Sequence, residues 1–424
     1  MALREYERDI RGCSRCSICK WVPFAQIKSV DCATVCPSIS RYNFHSYSGG
    51  GRLILGLSLL EDRVELTEEV ADIIYKCVMC GACEVSCKIY RDDIDVLRVI
   101  EELRFACVEN GMMLPEHMMM VDAMKQEDNV FGEPKSARGD WAKDLGLKDI
   151  NKEKADVLFH AGCRLSYDEG LRGVVRGAAS ILSDAGVDLG IAGADEACCG
   201  GRAFEVGYRG ELEKYAEDFA SRVKASGCSK LVTPCSDCYG AFKQLYPMVG
   251  KELGVEVLHV VEYVEMLMGQ GRIRPTVKVP LKVTYHDPCH LGRRGEPYRE
   301  WEGEDKLKRP SAFKMSGTRG VYDAPREILS RLPAVELVEM ERIREYAWCC
   351  GAGGGVMEAY PEFNSWSANE RVDEALATGA QAIVTACPWC ERSFTDALEE
   401  RDEDLEVLDL MELLARSLGS EPDA

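Results

Sequence analysis

Apolar and polar positions alternate with two different rhythms along the chain. Residues 1–111 show little strand character. A segment with Leu53, Leu57 and Leu60 on one face predicts a helix behind the loop Ser48-Gly49-Gly50-Gly51, and a second helix should run from about 94 to 110 and stop at Gly111. From residue 155 short apolar runs alternate with longer amphipathic stretches. Strands are expected at Asp156-Val157-Leu158-Phe159-His160, Lys230-Leu231-Val232-Thr233 and Val255-Glu256-Val257-Leu258, with helices over 167–185 and 207–226. The order then recurs. Strands are expected at 281–286, 335–340 and 382–385, with helices over 325–332 and 361–378, and Glu406-Val407-Leu408 echoes Glu256-Val257-Leu258. Repeated strand–helix units predict parallel sheets with helices on both faces. The expected architecture is α/β, with a helical N-terminal domain over 1–111, a linker or wrapping segment over 112–154, and duplicated domains over 155–270 and 271–424. The linker carries Met112, Met113, Met118, Met119, Met120 and Met124, which suit a packed helix or an adaptable contact surface.

Cysteine changes this picture most. Each repeat holds a tandem pair followed by glycine, Cys198-Cys199-Gly200 and Cys349-Cys350-Gly351. Adjacent cysteines bridge each other only with strain, but they can aim two thiolates at one metal assembly. In the first repeat 34 residues separate Cys163 from the pair and 35 separate the pair from Cys235-x2-Cys238. In the second, 59 residues separate Cys289 from the pair and 36 lead to Cys387-x2-Cys390. Cys163, Cys235, Cys289 and Cys387 each follow a predicted strand, where parallel sheets place their chemistry. Gly200-Gly201 and Gly351-Ala352-Gly353-Gly354-Gly355 would let backbone approach closely and present N–H groups to anionic sulfur. His160, His286 and His290 lie near these cysteines, as packed imidazoles or as proton donors.

The N-terminal region carries Cys77-x2-Cys80-x2-Cys83-x3-Cys87, the spacing in which three close cysteines hold one 4Fe–4S cubane and the fourth crosses to another. Lys88 stands where that run usually has proline. A zinc ribbon would instead use two separated Cys-x2-Cys knuckles. The partner run is Cys13-x2-Cys16-x2-Cys19 with Cys32 and Cys36-Pro37, where Cys36 reads as the crossing cysteine. The pattern pairs Cys13, Cys16, Cys19 and Cys87 around one cubane, and Cys36, Cys77, Cys80 and Cys83 around the other. The long insertion before Cys36 keeps Cys32 as a reserve ligand. Cys107 and Cys228 fall outside every motif and are expected in the core.

Eighteen of the 21 cysteines therefore belong to spaced motifs in a chain of 424 residues. The charged N-terminus has no secretory h-region, and no apolar run reaches 18 residues, so reduced metal-binding thiols in a cytoplasmic protein are expected rather than disulfides. With 72 acidic and 52 basic residues the net charge is −20, which disfavours nucleic acid and anionic membranes and suits a partner with a basic patch. No G-x-G-x-x-G follows a strand, so a flavin or nicotinamide would have to sit on a partner.

At His286-Asp287-Pro288-Cys289-His290-Leu291-Gly292-Arg293, and at Cys349-Cys350-Gly351 with the glycines after it, the chain resembles the CCG-domain family. Its members include heterodisulfide reductase catalytic subunits and the iron–sulfur subunits of glycolate oxidase and of electron-transferring-flavoprotein:quinone oxidoreductases. The layout is also similar to the electron-transfer subunit of class II benzoyl-coenzyme A reductase complexes. The resemblance implies two cubanes followed by one or two non-cubane 4Fe–4S clusters. The first non-cubane site would use Cys163, Cys198, Cys199, Cys235 and Cys238. The second would use Cys289, Cys349, Cys350, Cys387 and Cys390. It implies an electron-transfer subunit working with other flavin- or iron–sulfur-containing redox subunits, or a heterodisulfide or thiol reductase that cleaves its substrate at a CCG cluster. A polar insert at about 295–320 distinguishes the second repeat.

Overall fold

The computed structural model describes residues 2–90, 94–297 and 316–420. Most of the 295–320 insert therefore lies outside the described residues.

The N-terminal region is helical, with Glu7–Gly12, Pro37–Tyr42, Gly49–Leu60, Glu68–Tyr75, Ala82–Lys88, Val96–Glu109 and Pro115–Glu127 as its α-helices. Leu53, Leu57 and Leu60 are buried with Ile74, Leu97, Ile100 and Leu103 in one apolar cluster. The stretch Gly49-Gly50-Gly51 is not the expected loop. It forms the first turn of Gly49–Leu60, capped by the Ser48 hydroxyl, which accepts from Gly51 N at 3.0 Å. Packing overrides the poor helix propensity of glycine here: a Cβ on Gly49 would come within 2.9 Å of Cys83 Cβ and of Val96.

Two parallel sheets follow. The first contains β1 (Lys148–Asp149), β2 (Val157–Phe159), β3 (Leu189–Ile191), β4 (Lys230–Thr233) and β5 (Glu256–His259) in the order β1-β3-β2-β4-β5. The second contains β6 (Leu281–Tyr285), β7 (Val335–Leu337), β8 (Ala382–Thr385) and β9 (Glu406–Asp409) in the order β7-β6-β8-β9. Every pairing is parallel. Once β1 is set aside the two orders are the same, so the duplication seen in the sequence is a duplication of fold. β1 also shows that the segment before residue 155 adds an edge strand to the first sheet.

The halves are interleaved. Arg172–Asp184, the helix after β2, packs on Leu410–Leu418 of the other half, and Val260–Gly269 packs on Asp323–Arg331 in the equivalent way. One apolar core runs through both halves and includes all ten cysteines of the two repeats, together with Val78 and Cys80.

Candidate metal centres

Two cavities lie at the N-terminus of Gly49–Leu60. Cys13, Cys16, Cys19 and Cys87 line the first, with His45, Gly50 and Leu53. Cys36, Cys77, Cys80 and Cys83 line the second, with Gly49, Arg52, Leu97 and Ile100. Cys87 and Cys36 thus each cross to the other run. The N-terminus of the helix lies between the cavities, and Gly50 N donates to Cys19 Sγ at 3.3 Å. Such a terminus favours negative charge, which suits thiolates. Cys32 lines neither cavity. Its N–H donates to Ser29 Oγ at 3.3 Å, and burial with the nearby Glu374 carboxylate raises its thiol pKa. Lys88 is buried and pairs with Glu84 and Asp95, both at 2.9 Å. It pins the end of the helix that carries Cys87, as the usual proline could not.

Segments beyond β2, β3 and β4 carry the five motif cysteines of the first repeat, and segments beyond β6, β7 and β8 the five of the second, all buried. In the first repeat Cys163 hydrogen-bonds Cys198, and Cys199 accepts from Cys198 and Cys238, which lowers the Cys199 thiol pKa to about 6. In the second, Cys350 accepts from Cys349 and from Cys390, at 3.2 Å, and its pKa falls well below the usual thiol range. Cys289 is lowered in the same way, first by Cys349 and then by His290. The tandem pairs thus behave alike: the neighbouring thiols lower the pKa of the second thiol of each, while that of the first is raised.

Cations face these sulfurs. Both terminal nitrogens of Arg138 lie 3.7 Å from Cys163 Sγ, and its Nε donates to Glu196 at 3.0 Å. Arg293 extends along the Cys77–Cys83 loop, donating to Cys80 O at 2.9 Å and to Ala347 O at 2.6 Å. His286 Nδ1 accepts from Arg371 Nε at 3.1 Å, which leaves the proton on Nε2, and one ring nitrogen of His286 lies within 4.8 Å of Cys350 Sγ and of Cys390 Sγ. His160, its counterpart, stands edge-on to Phe219 and Phe242, and burial lowers its pKa to about 4. His290 joins the repeats: Nδ1 lies 3.4 Å from Cys289 Sγ and 3.2 Å from Asp237, and Nε2 meets Glu205 at 2.7 Å. Five buried thiols in mutual contact are costly as anions unless a cation offsets them. The donor set therefore fits an iron–sulfur core.

The four thiol sets form a row. The N-terminus of Gly49–Leu60 lies between the first two. Cys80 hydrogen-bonds Cys349, which lowers the Cys80 thiol pKa to about 7 and links the second set to the second repeat. Gly353 and Gly354 make that approach possible, since a Cβ on either would come within 2.6 Å of Val78 O or Cys77 O. Ser236, beside Cys235, donates to the carbonyl of Ala386, beside Cys387, at 2.6 Å and links the two repeats.

Sequence reasoning missed Arg138, Glu196, Glu205, Asp237 and Arg371. Asp237 had a signal, since it lies inside Cys235-x2-Cys238. Glu196 likewise precedes Cys198 by two residues, and Arg138, Glu205 and Arg371 come close to the thiols only through the tertiary fold.

A family model described as a cysteine-rich domain matches residues 157–243 and again 283–395, and one described as a 4Fe–4S dicluster domain matches residues 9–89. A dihydromethanophenazine:CoB–CoM heterodisulfide reductase subunit from Methanosarcina mazei is 31% identical over 422 residues, covering 97% of this chain and 95% of the relative. The probable iron–sulfur-binding oxidoreductase FadF of Bacillus subtilis is 30% identical over 363 residues, covering 83% of this chain and 47% of the relative. The EtfAB:quinone oxidoreductase of Syntrophomonas wolfei is 28% identical over 367 residues, covering 82% of this chain and 47% of the relative. Among solved structures, a hypothetical protein from Helicobacter pylori superposes with a TM-score of 0.55 at 11% identity, over 88% of this chain and 68% of that one, which speaks for the fold alone. Fold and thiol sets define an iron–sulfur oxidoreductase subunit. Within that class, the chain belongs to the family of cysteine-rich-domain heterodisulfide reductase subunits. Among the described residues no helix is long and apolar enough to cross a membrane.

Proposed function

We propose that the chain is the iron–sulfur electron-transfer subunit of a multi-subunit oxidoreductase. Cys13, Cys16, Cys19 and Cys87 would hold one cubane, and Cys36, Cys77, Cys80 and Cys83 the other. Cys163, Cys198, Cys199, Cys235 and Cys238 would hold a first non-cubane cluster, and Cys289, Cys349, Cys350, Cys387 and Cys390 a second. When bound, such clusters supply single-electron redox steps. The observation that carries the reading is the unbroken row of thiol sets, with Cys80 against Cys349 and Ser236 against Ala386. At the two repeats the chain's residues bury every one of these thiols, and Arg138 and Arg293 supply fixed positive charge beside the sulfurs.

A disulfide reductase of the same family would need room for its substrate at one of the buried sites. The space that adjoins them, lined by Arg202, Glu205, Asp237, His290 and Arg294, has a volume of only about 10 Å³. That favours the relay. Anaerobic protein should contain about 12–16 iron per chain, four for each cluster, with matching sulfide. Paramagnetic resonance of the reduced protein should show both cubane and non-cubane signals. With a viologen reductant the isolated chain should turn over no disulfide; turnover would establish the reductase reading, and colourless zinc protein would overturn both. Co-purification from the native source names the partner, for which the layout suggests a class II benzoyl-coenzyme A reductase complex.

A further inference from the structure

The surface around the first cavity differs from the rest of the molecule. Of the 21 cysteines only Cys16 is exposed, and it lines that cavity. Arg15 and Lys20 lie in and beside the Cys13–Cys19 loop that lines it, in a chain whose net charge is −20. Arg15 lines the cavity and is exposed, and Lys20 directly follows the lining Cys19 in the chain. Among the described residues neither Arg15 nor Lys20 makes an ion pair. Phe44 is 67% exposed and precedes His45 in the chain, while Ile89 and Tyr90, 45% and 58% exposed, follow close after Cys87.

We propose that this rim is the docking face for an acidic one-electron carrier protein, whose negative surface meets Arg15 and Lys20 while its apolar centre covers Phe44, Ile89 and Tyr90. The proposal rests on the relay reading and names where the chain meets its redox partner and what that partner's surface carries. Aromatic anchors with a charged rim are the usual anatomy of a specific interface. Opposite charge across the contact steers the encounter and fixes its orientation. The remaining acidic surface repels the same carrier, so association is directed to the edge that carries the exposed Cys16. Electron transfer falls steeply with distance, and every other cysteine lies deeper. The exposed apolar groups come from two separate segments, beside His45 and after Cys87, and not from one face of an amphipathic helix, so a protein fits better than a lipid surface.

The test is anaerobic calorimetric titration of the iron-loaded chain with oxidised acidic [2Fe–2S] ferredoxin at about 20 mM and about 200 mM salt, between which screening shortens severalfold. We expect binding at low salt that weakens about tenfold at high salt, and weakens about tenfold in Lys20→Glu and in Phe44→Ser. Arg274→Glu, in a different arginine-bearing groove, should leave it unchanged. Basic cytochrome c should bind Lys20→Glu no more weakly than the parent. Absence of ferredoxin binding to protein with full iron would overturn the docking proposal alone, whereas protein that takes up no iron would overturn the relay reading beneath it. Equal binding by both variants would overturn the proposal. So would retention of the chain by phosphatidylserine vesicles that is lost in Lys20→Glu. Phe44 lies outside the cysteine loops, so its variant reads the interface even if Lys20→Glu fails to load iron.

Discussion

Gly162 has φ +78°, and a Cβ there would lie 2.9 Å from Cys238 Sγ. Alanine at this position would strain the backbone and push against the thiol at once. Gly162→Ala should therefore lower iron by about four per chain, one cluster's worth, and leave the resonance signal of the second repeat intact. Unchanged iron would show that Cys238 is not a ligand. The cysteines were legible in the sequence because metal chemistry demands several thiolates on short, fixed spacings. Their supporting residues were not. Arg138 precedes Cys163 by 25 positions and carries no motif; only the packing of its guanidinium on that sulfur and on Glu196 gives it a role. Lys88 was visible as a departure from the ferredoxin pattern, but its reason, a buried pairing with Glu84 and Asp95, lies in three dimensions.

Most elements were also legible, because buried parallel strands read as short apolar runs between amphipathic helices. β4 and β8 fall on the expected residues. β3 was missed because Gly190 interrupts a run of three, and β1 because two residues carry no periodicity. At the ends of β5 and β9 the repeats reuse one device with different chemistry. His259 Nδ1 accepts from Val261 N at 3.3 Å and Glu262 closes the capping box; in the second half Asp409 accepts from Met411 N at 2.7 Å and Glu412 closes it. His259 is fully buried, and burial lowers its pKa from 6.5 to about 3. The unfolded chain therefore takes up the proton first on acidification. The contribution to stability is complete above pH 6.5 and is lost as the pH falls towards 3, by about 2 kcal/mol at pH 5. Asparagine also caps helices well. His259→Asn should keep stability near the parent's at pH 7 and exceed it by about 2 kcal/mol at pH 5, read by urea denaturation of the iron-loaded protein. Equal pH dependence in the two proteins would place the acid sensitivity elsewhere.

At the scale of the molecule the sequence announced three domains with thiols, and the structure adds that buried arginines bind them into one body. Arg104, on Val96–Glu109, donates to Tyr75 O at 3.0 Å and Cys77 O at 2.6 Å in the ferredoxin-like region, to Glu205 O at 2.6 Å in the first repeat and to Gly354 O at 2.7 Å in the second. Four carbonyls from three domains converge on one side chain, and none of these pairings leaves a local trace, since they join positions up to 250 residues apart. The same strut holds Cys77 and Gly354 in register, and with them the approach of Cys80 to Cys349. Removing it would leave buried carbonyls without donors, at about 1–3 kcal/mol for each that water cannot reach. The loss falls on the junctions, because the substitution removes no side chain of either apolar cluster. Arg104→Leu should accordingly split one calorimetric unfolding transition of the iron-loaded protein into two, with the helical N-terminal domain melting first. It should also weaken the magnetic interaction between the reduced second cubane and the cluster of the second repeat, with iron content unchanged. A single transition at the parent's midpoint would show that the apolar contacts alone hold the domains together, and that the row of thiol sets is aligned by packing rather than by this arginine.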